Sequence, residues 1–246
     1  MNVEQLNKKQ FEETSNKRPK RPLVFDVDDV VLNSCEAIIE IVNERYNLSP
    51  KVTTENVKDW NFTCLKREIK RQRGIEVHTQ DFLKIFESEE FWNKVEFKQG
   101  IIDIVYNPQI KERFKITLVS TGTKKNLDLK IKYLHNHLNM ENISFLGVPL
   151  DLNSPNYSKK EIDTHLSLWG GIQVDDKYEC LNTNAKLKIL LKNNKDTTYN
   201  FVPESREDLY VVNNLEELKE ILMFIIIDED SFFEDFKSIP FVWRGE

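Results

Sequence analysis

Aspartates stand in two groups in this 246-residue sequence, each directly after an apolar stretch: Asp26, Asp28 and Asp29, then Asp175 and Asp176. The two stretches are PLVF and GIQV, and both have the composition of a buried strand. Carboxylates this close repel one another and resist burial, so they need a positively charged partner. A hard divalent cation with oxygen ligands meets this need, and Mg²⁺ is therefore the predicted metal.

Hydroxyl and ammonium groups occupy comparable positions elsewhere in the chain. Ser120 and Thr121 follow the β-type stretch KITLV, and Lys159 and Lys160 open a predicted helix upstream of GIQV. The carboxyl ends of parallel strands meet at one edge of a sheet, where ligands bind in α/β folds. If these ends converge, a phosphate can share the site with the metal. Asp29 is expected to be a turn residue only. In the alternative interpretation, Asp26 and Asp28 are turn residues that cap the next helix, and Ser120 and Thr121 are ordinary turn hydroxyls.

Strand and helix signals alternate along most of the chain, which predicts βαβ units around a parallel sheet. Apolar, β-branched runs predict five strands, at residues 23–27, 115–120, 143–148, 171–176 and 198–202. Helical spacing predicts further helices at residues 101–114, 125–138, 160–169, 185–191 and 215–224. The predicted fold class is α/β, a three-layer α/β/α sandwich with a central parallel sheet.

Residues 33–100 depart from this alternation, because they are mostly helical in pattern and rich in charge. They predict a helical cap inserted after the first strand. The cap aromatics, among them Trp60 and Phe86, suit packing between helices, with base stacking or a lid as the alternative. The expected organisation has four parts: a flexible polar and basic tail at residues 1–21, a catalytic core formed by residues 22–32 and 101–227, the helical cap at 33–100 and a C-terminal extension at 228–246.

Composition and charge exclude several classes of protein. The net charge of −6 disfavours a dedicated duplex-binding protein but leaves a local basic groove open. The three cysteines are scattered and form no CxxC pair, which disfavours a disulfide framework and a zinc site. No signal peptide is expected, because residues 1–21 are polar, and the longest apolar run, residues 221–227, is too short to span a bilayer. A cytoplasmic location is expected.

The order of these polar groups resembles the motifs of the haloacid dehalogenase-like (HAD) superfamily, whose members are mostly phosphatases. The family's first motif, an apolar strand followed by Asp-x-Asp-x-Val/Thr, resembles residues 26–30 (DVDDV). Its second motif, a strand that ends in Ser or Thr, resembles the segment that ends at Ser120. Its lysine before a helix matches Lys159 or Lys160, and its paired acids match residues 175–176.

The resemblance implies Mg²⁺-dependent hydrolysis of a phosphomonoester through a covalent intermediate. Asp26 would be the nucleophile, and Asp28 the general acid and base. Mg²⁺ would be held by Asp26, Asp176 and the backbone carbonyl of Asp28, while Asp175 would orient metal-bound water or the lysine. The donors to the transferred phosphoryl group would be Ser120, Thr121, and Lys159 or Lys160.

Finer details resemble the 5′-nucleotidase group of the superfamily, which includes 5′(3′)-deoxyribonucleotidases. These details are the long helical insert and the stretches EIVNERYN, FESEEFWNKVEFKQGI and TYNFVPESREDLYVVNNLEEL. The resemblance covers about residues 22–213 and leaves out both ends of the chain. Gly122 and Thr123 depart from it, since many relatives carry Arg or Pro just after the second motif. This departure bears on the substrate more than on the chemistry.

The implied partner is a small phosphorylated substrate, a nucleoside or deoxynucleoside monophosphate. Two alternatives stay open: a phosphatase of another small phosphomonoester or of a 3′-phosphorylated nucleic-acid end, and a non-catalytic nucleotide-binding or partner-binding protein. A closed aromatic pocket would favour a mononucleotide, and an open basic groove would favour a nucleic-acid strand. The basic run that could line such a groove is Lys66, Arg67, Lys70, Arg71 and Arg73. No membrane partner is expected, and a homo-oligomer stays open.

Overall fold

Six parallel strands form one sheet in the computed structural model, which describes residues 20–149, 171–193, 197–198, 200–202 and 206–227. The order of the strands across the sheet is β3-β2-β1-β4-β5-β6. Their bounds are β1 Arg21–Asp26, β2 Phe114–Gly122, β3 Ile143–Pro149, β4 Ile172–Asp175, β5 Leu187–Leu191 and β6 Leu209–Val212.

Helices lie between and after these strands in the part of the chain that the structure describes. Those between β1 and β2 are α1 Ser34–Arg45, α2 Thr63–Arg73, α3 Thr79–Ile85, α4 Glu89–Lys94, α5 Ile101–Val105 and α6 Pro108–Arg113. The remaining two are α7 Lys124–His137 and α8 Leu215–Ile227. Short 3₁₀ turns lie at Thr54–Asn56, Met140–Asn142 and Tyr178–Leu181.

The sheet and its helices form the three-layer α/β/α sandwich that the sequence predicts. Helix α7 packs on β2 and β3, and α8 packs on β5, β6 and α6. Strand β1 lies inside the sheet, so Leu23, Val24 and Phe25 are almost completely buried. Strand order reverses between β1 and β4, and in doubly wound sheets ligands bind beyond the carboxyl ends of the strands at such a switch point.

One predicted helix is a strand. Residues 185–191 have helical spacing in the sequence, yet Leu187–Leu191 forms β5, between β4 and β6. All five of its residues are buried, including Lys188, whose ammonium bonds the Ala185 carbonyl and the Asp208 carboxylate. An inner strand of a parallel sheet is buried on both faces, so its short apolar run lacks the alternation that identifies a strand.

The predicted strand at residues 198–202 is also wrong. No strand is assigned to the residues of this segment that the structure describes, and Thr198 instead bonds the Lys58 carbonyl. The edge strand of this half of the sheet is β6, which sequence analysis missed. The helix predicted at residues 101–114 is interrupted, because Asn107 caps a new helix at Pro108. The segment 1–19, the helix predicted at 160–169 and the extension 228–246 lie outside the described residues.

Helices α1 to α4 occupy the long connection between β1 and β2 and have aromatic packing of their own. Phe62 stacks on Phe82 at 5.1 Å between ring centroids, and Phe91 contacts both Phe86 and Trp92 at 5.0 Å.

Within the described part of the chain, no helix is long and apolar enough to cross a membrane.

Candidate active site

The register of the sheet brings the two aspartate groups together. Strands β1 and β4 pair with Phe25 opposite Val174, so Asp26 and Asp175 occupy the next position on neighbouring strands. Asp176 follows at once. Asp26, Asp175 and Asp176 each place one carboxylate oxygen within 4.8 Å of the others. Carboxylates this close together can share one cation.

The enclosure of these carboxylates favours their neutral forms. Desolvation, together with the charges of Asp175 and Asp28, raises the pKa of Asp26 well above its ordinary value. Desolvation likewise raises the pKa of Asp175 to about 7. The pKa of Asp176 is also raised well above its ordinary value, by desolvation first and then by the charges of Asp29, Asp175 and Asp26. Among the described residues, the positive groups near the three aspartates do not offset these effects.

A divalent cation fits this donor set. Oδ2 of Asp176 is buried and has no hydrogen-bond partner among the residues that the structure describes, so one carboxylate oxygen is available to a ligand. Two oxygens on one Mg²⁺ lie at most about 4.2 Å apart at the usual bond lengths, so small side-chain adjustments suffice. Residues that would hold the ion are Asp26, Asp176 and the Asp28 backbone carbonyl, with Asp175 beside them.

Added Mg²⁺ is expected to stabilise the protein more at about pH 8 than at about pH 5.5. In the folded protein Asp175 keeps its proton up to pH values near its pKa of about 7, whereas its ordinary pKa is 3.8. The stability of the metal-free protein therefore falls as pH rises between these two pKa values. Above about pH 7 the metal no longer has to displace a proton from Asp175. Saturation at a hundred times Kd would add about 2.7 kcal/mol.

Thermal unfolding with and without Mg²⁺ at the two pH values measures this effect. Asp176→Asn is the matched control, and its melting temperature should respond little to the metal. An equal Mg²⁺ response in the variant and the unaltered protein would contradict the predicted ligand set.

Asp28 is held by three side chains. Ser34 Oγ donates to its Oδ1 at 2.7 Å, and Lys130 Nζ and Ser120 Oγ donate to its Oδ2 at 2.5 and 3.4 Å. Lys130 also donates to Ser120 Oγ at 2.6 Å. Asp28 keeps 18% of its side chain exposed, whereas Lys130 is fully buried. The carboxylate of Asp28 thus lies between a buried ammonium and the open site.

The predicted phosphate-binding residues differ in their access to the cavity. Thr121 is exposed and lines the cavity beside Asp26, whereas the Ser120 side chain is buried beneath it. Lys159 and Lys160 lie outside the described residues.

Asp29 does more than form a turn. It has a positive φ of 57°, a conformation that Asp tolerates better than most residues, and it reverses the chain after Asp28. Its carboxylate is buried and accepts a hydrogen bond from the Cys35 backbone N–H at 3.0 Å, near the start of α1. Its charge contributes to the raised pKa of Asp176. Asp29 therefore adds a further negative charge close to the aspartate cluster.

A cavity of about 420 Å³ joins these carboxylates to the cap. Its lining contains Asp26, Asp28, Asp175 and Asp176 from the sheet edge, and Trp60, Leu83 and Phe86 from the cap connection. This volume lies within the usual range for small-molecule pockets. The basic run of α2 contributes no residue to this lining.

Direct contacts fasten the cap to the core at the cavity. The Phe86 carbonyl accepts from Asn126 Nδ2 at 3.1 Å, and Thr123 Oγ1 donates to Glu87 at 2.5 Å. A Cβ at Gly122 would collide with the Asn126 side chain, so glycine permits this close approach. The two residues after the second motif, Gly122 and Thr123, thus help to position the cap aromatics.

Sequence analysis missed Lys130 and Asn126 as residues of the site. Both lie on the buried stripe of α7, which also includes Leu127 and Leu134. A lysine on the apolar stripe of a predicted amphipathic helix was the available signal, since a buried ammonium requires a specific partner.

The sheet order, the inserted helices and the aspartate cluster at the switch point define a haloacid dehalogenase-like fold. Among solved structures, the chain is similar to a candidate HAD hydrolase of Bacillus subtilis that was crystallised with magnesium. This match has a TM-score of 0.53 and 14% identity, and it covers 84% of this chain and 100% of the other. It shows the fold.

Two further solved structures share the fold with a similar TM-score and sequence identity. A haloacid dehalogenase-like family hydrolase of Streptococcus pneumoniae matches with a TM-score of 0.52 and 11% identity, covering 82% of this chain and 98% of the other. A HAD-superfamily hydrolase of Geobacter sulfurreducens matches with a TM-score of 0.50 and 11% identity, over 82% and 96% of the chains. No protein-family model matches the sequence, and no curated protein is similar enough to count as a relative.

Proposed function

We propose that this protein is a Mg²⁺-dependent phosphomonoesterase that hydrolyses nucleoside or deoxynucleoside monophosphates through an aspartyl-phosphate. One observation carries the proposal: a single cavity is lined both by the aspartate cluster and by the aromatic side chains of Trp60 and Phe86. The carboxylates suit the phosphate end of a nucleotide once a metal is bound, and the aromatic rings suit its base.

In the first step, a carboxylate oxygen of Asp26 attacks phosphorus and the bond from phosphorus to the leaving oxygen breaks. Asp28 donates its proton to the leaving oxygen, so the nucleoside departs as a neutral alcohol. Thr121, at the exposed end of β2, is placed to donate to a phosphoryl oxygen. Asp26 then carries the phosphoryl group as an acyl phosphate.

In the second step, water attacks phosphorus and the Asp26 carboxylate leaves. Asp28, now ionised, takes a proton from the attacking water and returns to its starting form. Bound Mg²⁺ would supply the positive charge that lets the Asp26 carboxylate approach an anionic phosphate. The cap side chains Trp60, Leu83 and Phe86 limit the access of bulk water to the reacting group.

The position of the basic run favours a mononucleotide over a nucleic-acid strand. Its side chains interact largely with neighbouring groups of the cap rather than with the cavity. Lys66 bonds Thr79, Arg71 pairs with Glu68, and Arg73 bonds the Tyr46 carbonyl. A solvated helix face therefore accounts for this run.

Phosphate release from a panel of substrates tests the proposal. The panel contains ribo- and deoxyribonucleoside monophosphates, sugar phosphates and 3′-phosphorylated oligonucleotides, each with and without Mg²⁺. Turnover of mononucleotides well above the other compounds is expected. A preference for oligonucleotides would favour an end-processing phosphatase, and stoichiometric nucleotide binding without turnover would favour a binding protein.

Trp60→Ala is expected to raise KM for a nucleoside monophosphate about 10-fold, because stacking of a base on an aromatic ring contributes about 1–3 kcal/mol. KM for a substrate without a base, such as a sugar phosphate, should change little. Steady-state kinetics on both substrates measures the difference, and Ile75→Ala, an exposed apolar residue of the cap, is the control. Equal losses on the two substrates would exclude base stacking on Trp60.

A further inference from the structure

We propose that Lys130 is a positioning residue for this reaction, acting through Asp28 and Ser120. The inference rests on the proposed function, since it assigns a role within the same site. Lys130 lies ten residues beyond Ser120, in the second turn of α7, and its side chain is fully buried. Its ammonium reaches Asp28 Oδ2 at 2.5 Å and Ser120 Oγ at 2.6 Å.

Burial decides which kind of role Lys130 can have. An ammonium without solvent access does not line the cavity, so it cannot contact the phosphate as the site stands. It acts on the two groups in front of it instead. Removing an ammonium from water is costly unless its hydrogen bonds are satisfied, and here the carboxylate and hydroxyl of the proposed machinery satisfy them.

The hydrogen bonds to Asp28 distinguish its two oxygens. Each carboxylate oxygen has about two lone-pair positions. Within the described part of the chain, Oδ2 accepts from both Lys130 and Ser120, whereas Oδ1 accepts from Ser34 alone. Oδ1 therefore keeps a free position for the proton that goes to the leaving oxygen and later comes from water. Lys130 fixes the carboxylate plane through Oδ2 and leaves Oδ1 to perform the transfer.

The same ammonium constrains Ser120. Because Lys130 donates to Ser120 Oγ, the hydroxyl hydrogen must point elsewhere, and it points to Asp28 Oδ2 at 3.4 Å. Ser120 is thus a second group that holds the Asp28 carboxylate in position. This arrangement connects the end of β2, helix α7 and the first motif in one buried network.

The other buried lysine provides a structural comparison. Among the described residues, Lys130 and Lys188 are the buried lysines, and Lys188 bonds Asp208 and the Ala185 carbonyl, none of which lines the cavity. An ion pair that only supports the fold can therefore be perturbed separately by Lys188→Met. Lys132→Met, at an exposed position of the same helix, controls for loss of charge.

A double-mutant cycle with Asp28→Asn tests the proposal. Lys130→Met is expected to lower kcat/KM for a nucleoside monophosphate about 10–100-fold, a part of the loss typical of an acid–base group. In the Asp28→Asn background the same substitution should change kcat/KM by about twofold or less, because the residue it positions has already lost its function. Lys188→Met should instead lower kcat/KM by the same factor in both backgrounds. Lys132→Met should leave kcat/KM unchanged in both.

Leaving-group dependence gives an independent measurement. The Lys130→Met defect in the first step should shrink for nitrophenyl phosphate, whose leaving group needs little protonation, while any Lys188→Met defect should not. Lys130→Gln, which keeps a hydrogen-bond donor, should show the same pattern with a smaller loss. If neither Lys130 variant folds, or if their losses multiply with that of Asp28→Asn, Lys130 is structural and the inference is wrong. An unaltered protein without any phosphatase activity would instead refute the proposed function itself.

Discussion

Asp26→Asn is expected to abolish phosphate release and to leave no phospho-enzyme. The substitution removes the attacking carboxylate, since an amide oxygen is a poor nucleophile, and it weakens one of the predicted metal ligands. The amide is similar in size and replaces a carboxylate whose pKa is raised by desolvation and by Asp175 and Asp28. Removing this buried charge should leave the metal-free protein at least as stable as before.

Acid-quench experiments with ³²P-labelled substrate measure the phospho-enzyme directly, and thermal unfolding checks the fold of the variant. Asp128→Asn, at an exposed position of α7, is the matched control and should retain full activity. A labelled protein that survives in Asp26→Asn would show that another residue accepts the phosphoryl group.

The residues at the strand ends were predictable because their positions follow from simple rules. An apolar run that stops at an aspartate places that aspartate at the end of a strand, and parallel strands bring their carboxyl ends to one edge. The sequence therefore predicted that Asp26, Asp175 and Asp176 would lie together, and their oxygens lie within 4.8 Å. The repulsion among these groups predicted the need for a cation without any knowledge of side-chain geometry.

The errors in secondary structure have a common cause. Lys188 inside β5 gave the run around it a helical spacing, because a buried lysine imitates the polar face of a helix. Only its ion pair with Asp208, twenty residues further on, makes a lysine acceptable in an inner strand. The local sequence pattern does not reveal such a long-range partner. For the same reason it did not reveal the edge strand β6.

The position of Lys130 on an apolar stripe was a signal, but the partners of Lys130 and of the cap contacts could not be predicted, for a related reason. The partner of Lys130 lies 102 residues away, and the contact of Asn126 with Phe86 spans 40 residues. The sequence alone does not show that the fold places a carboxylate against Lys130 and a carbonyl against Asn126. Local pattern identifies groups at the ends of elements, whereas groups that act from the side of a helix depend on packing.

Asp28→Asn is expected to lower the rate of phospho-enzyme formation from a nucleoside monophosphate about 10²–10⁴-fold, the usual contribution of a general acid. The backbone carbonyl predicted to bind the metal stays in place, and the amide oxygen can still accept a hydrogen bond from Lys130. The variant should therefore bind Mg²⁺ and substrate with nearly unchanged affinity, so that the loss falls on kcat rather than on binding.

The identity of the leaving group separates Asp28 from Asp26. With nitrophenyl phosphate the leaving oxygen departs without full protonation, so the Asp28→Asn defect in the first step should become much smaller, while the Asp26→Asn defect should remain complete. Pre-steady-state release of nitrophenolate is the measurement required, because the second step also uses Asp28 as a base and stays slow in this variant. Consequently Asp28→Asn should give a burst of one nitrophenolate per active site followed by slow turnover, and Asp26→Asn should give none. Equal first-step losses in both variants, for good and poor leaving groups alike, would show that Asp28 does not act as the general acid.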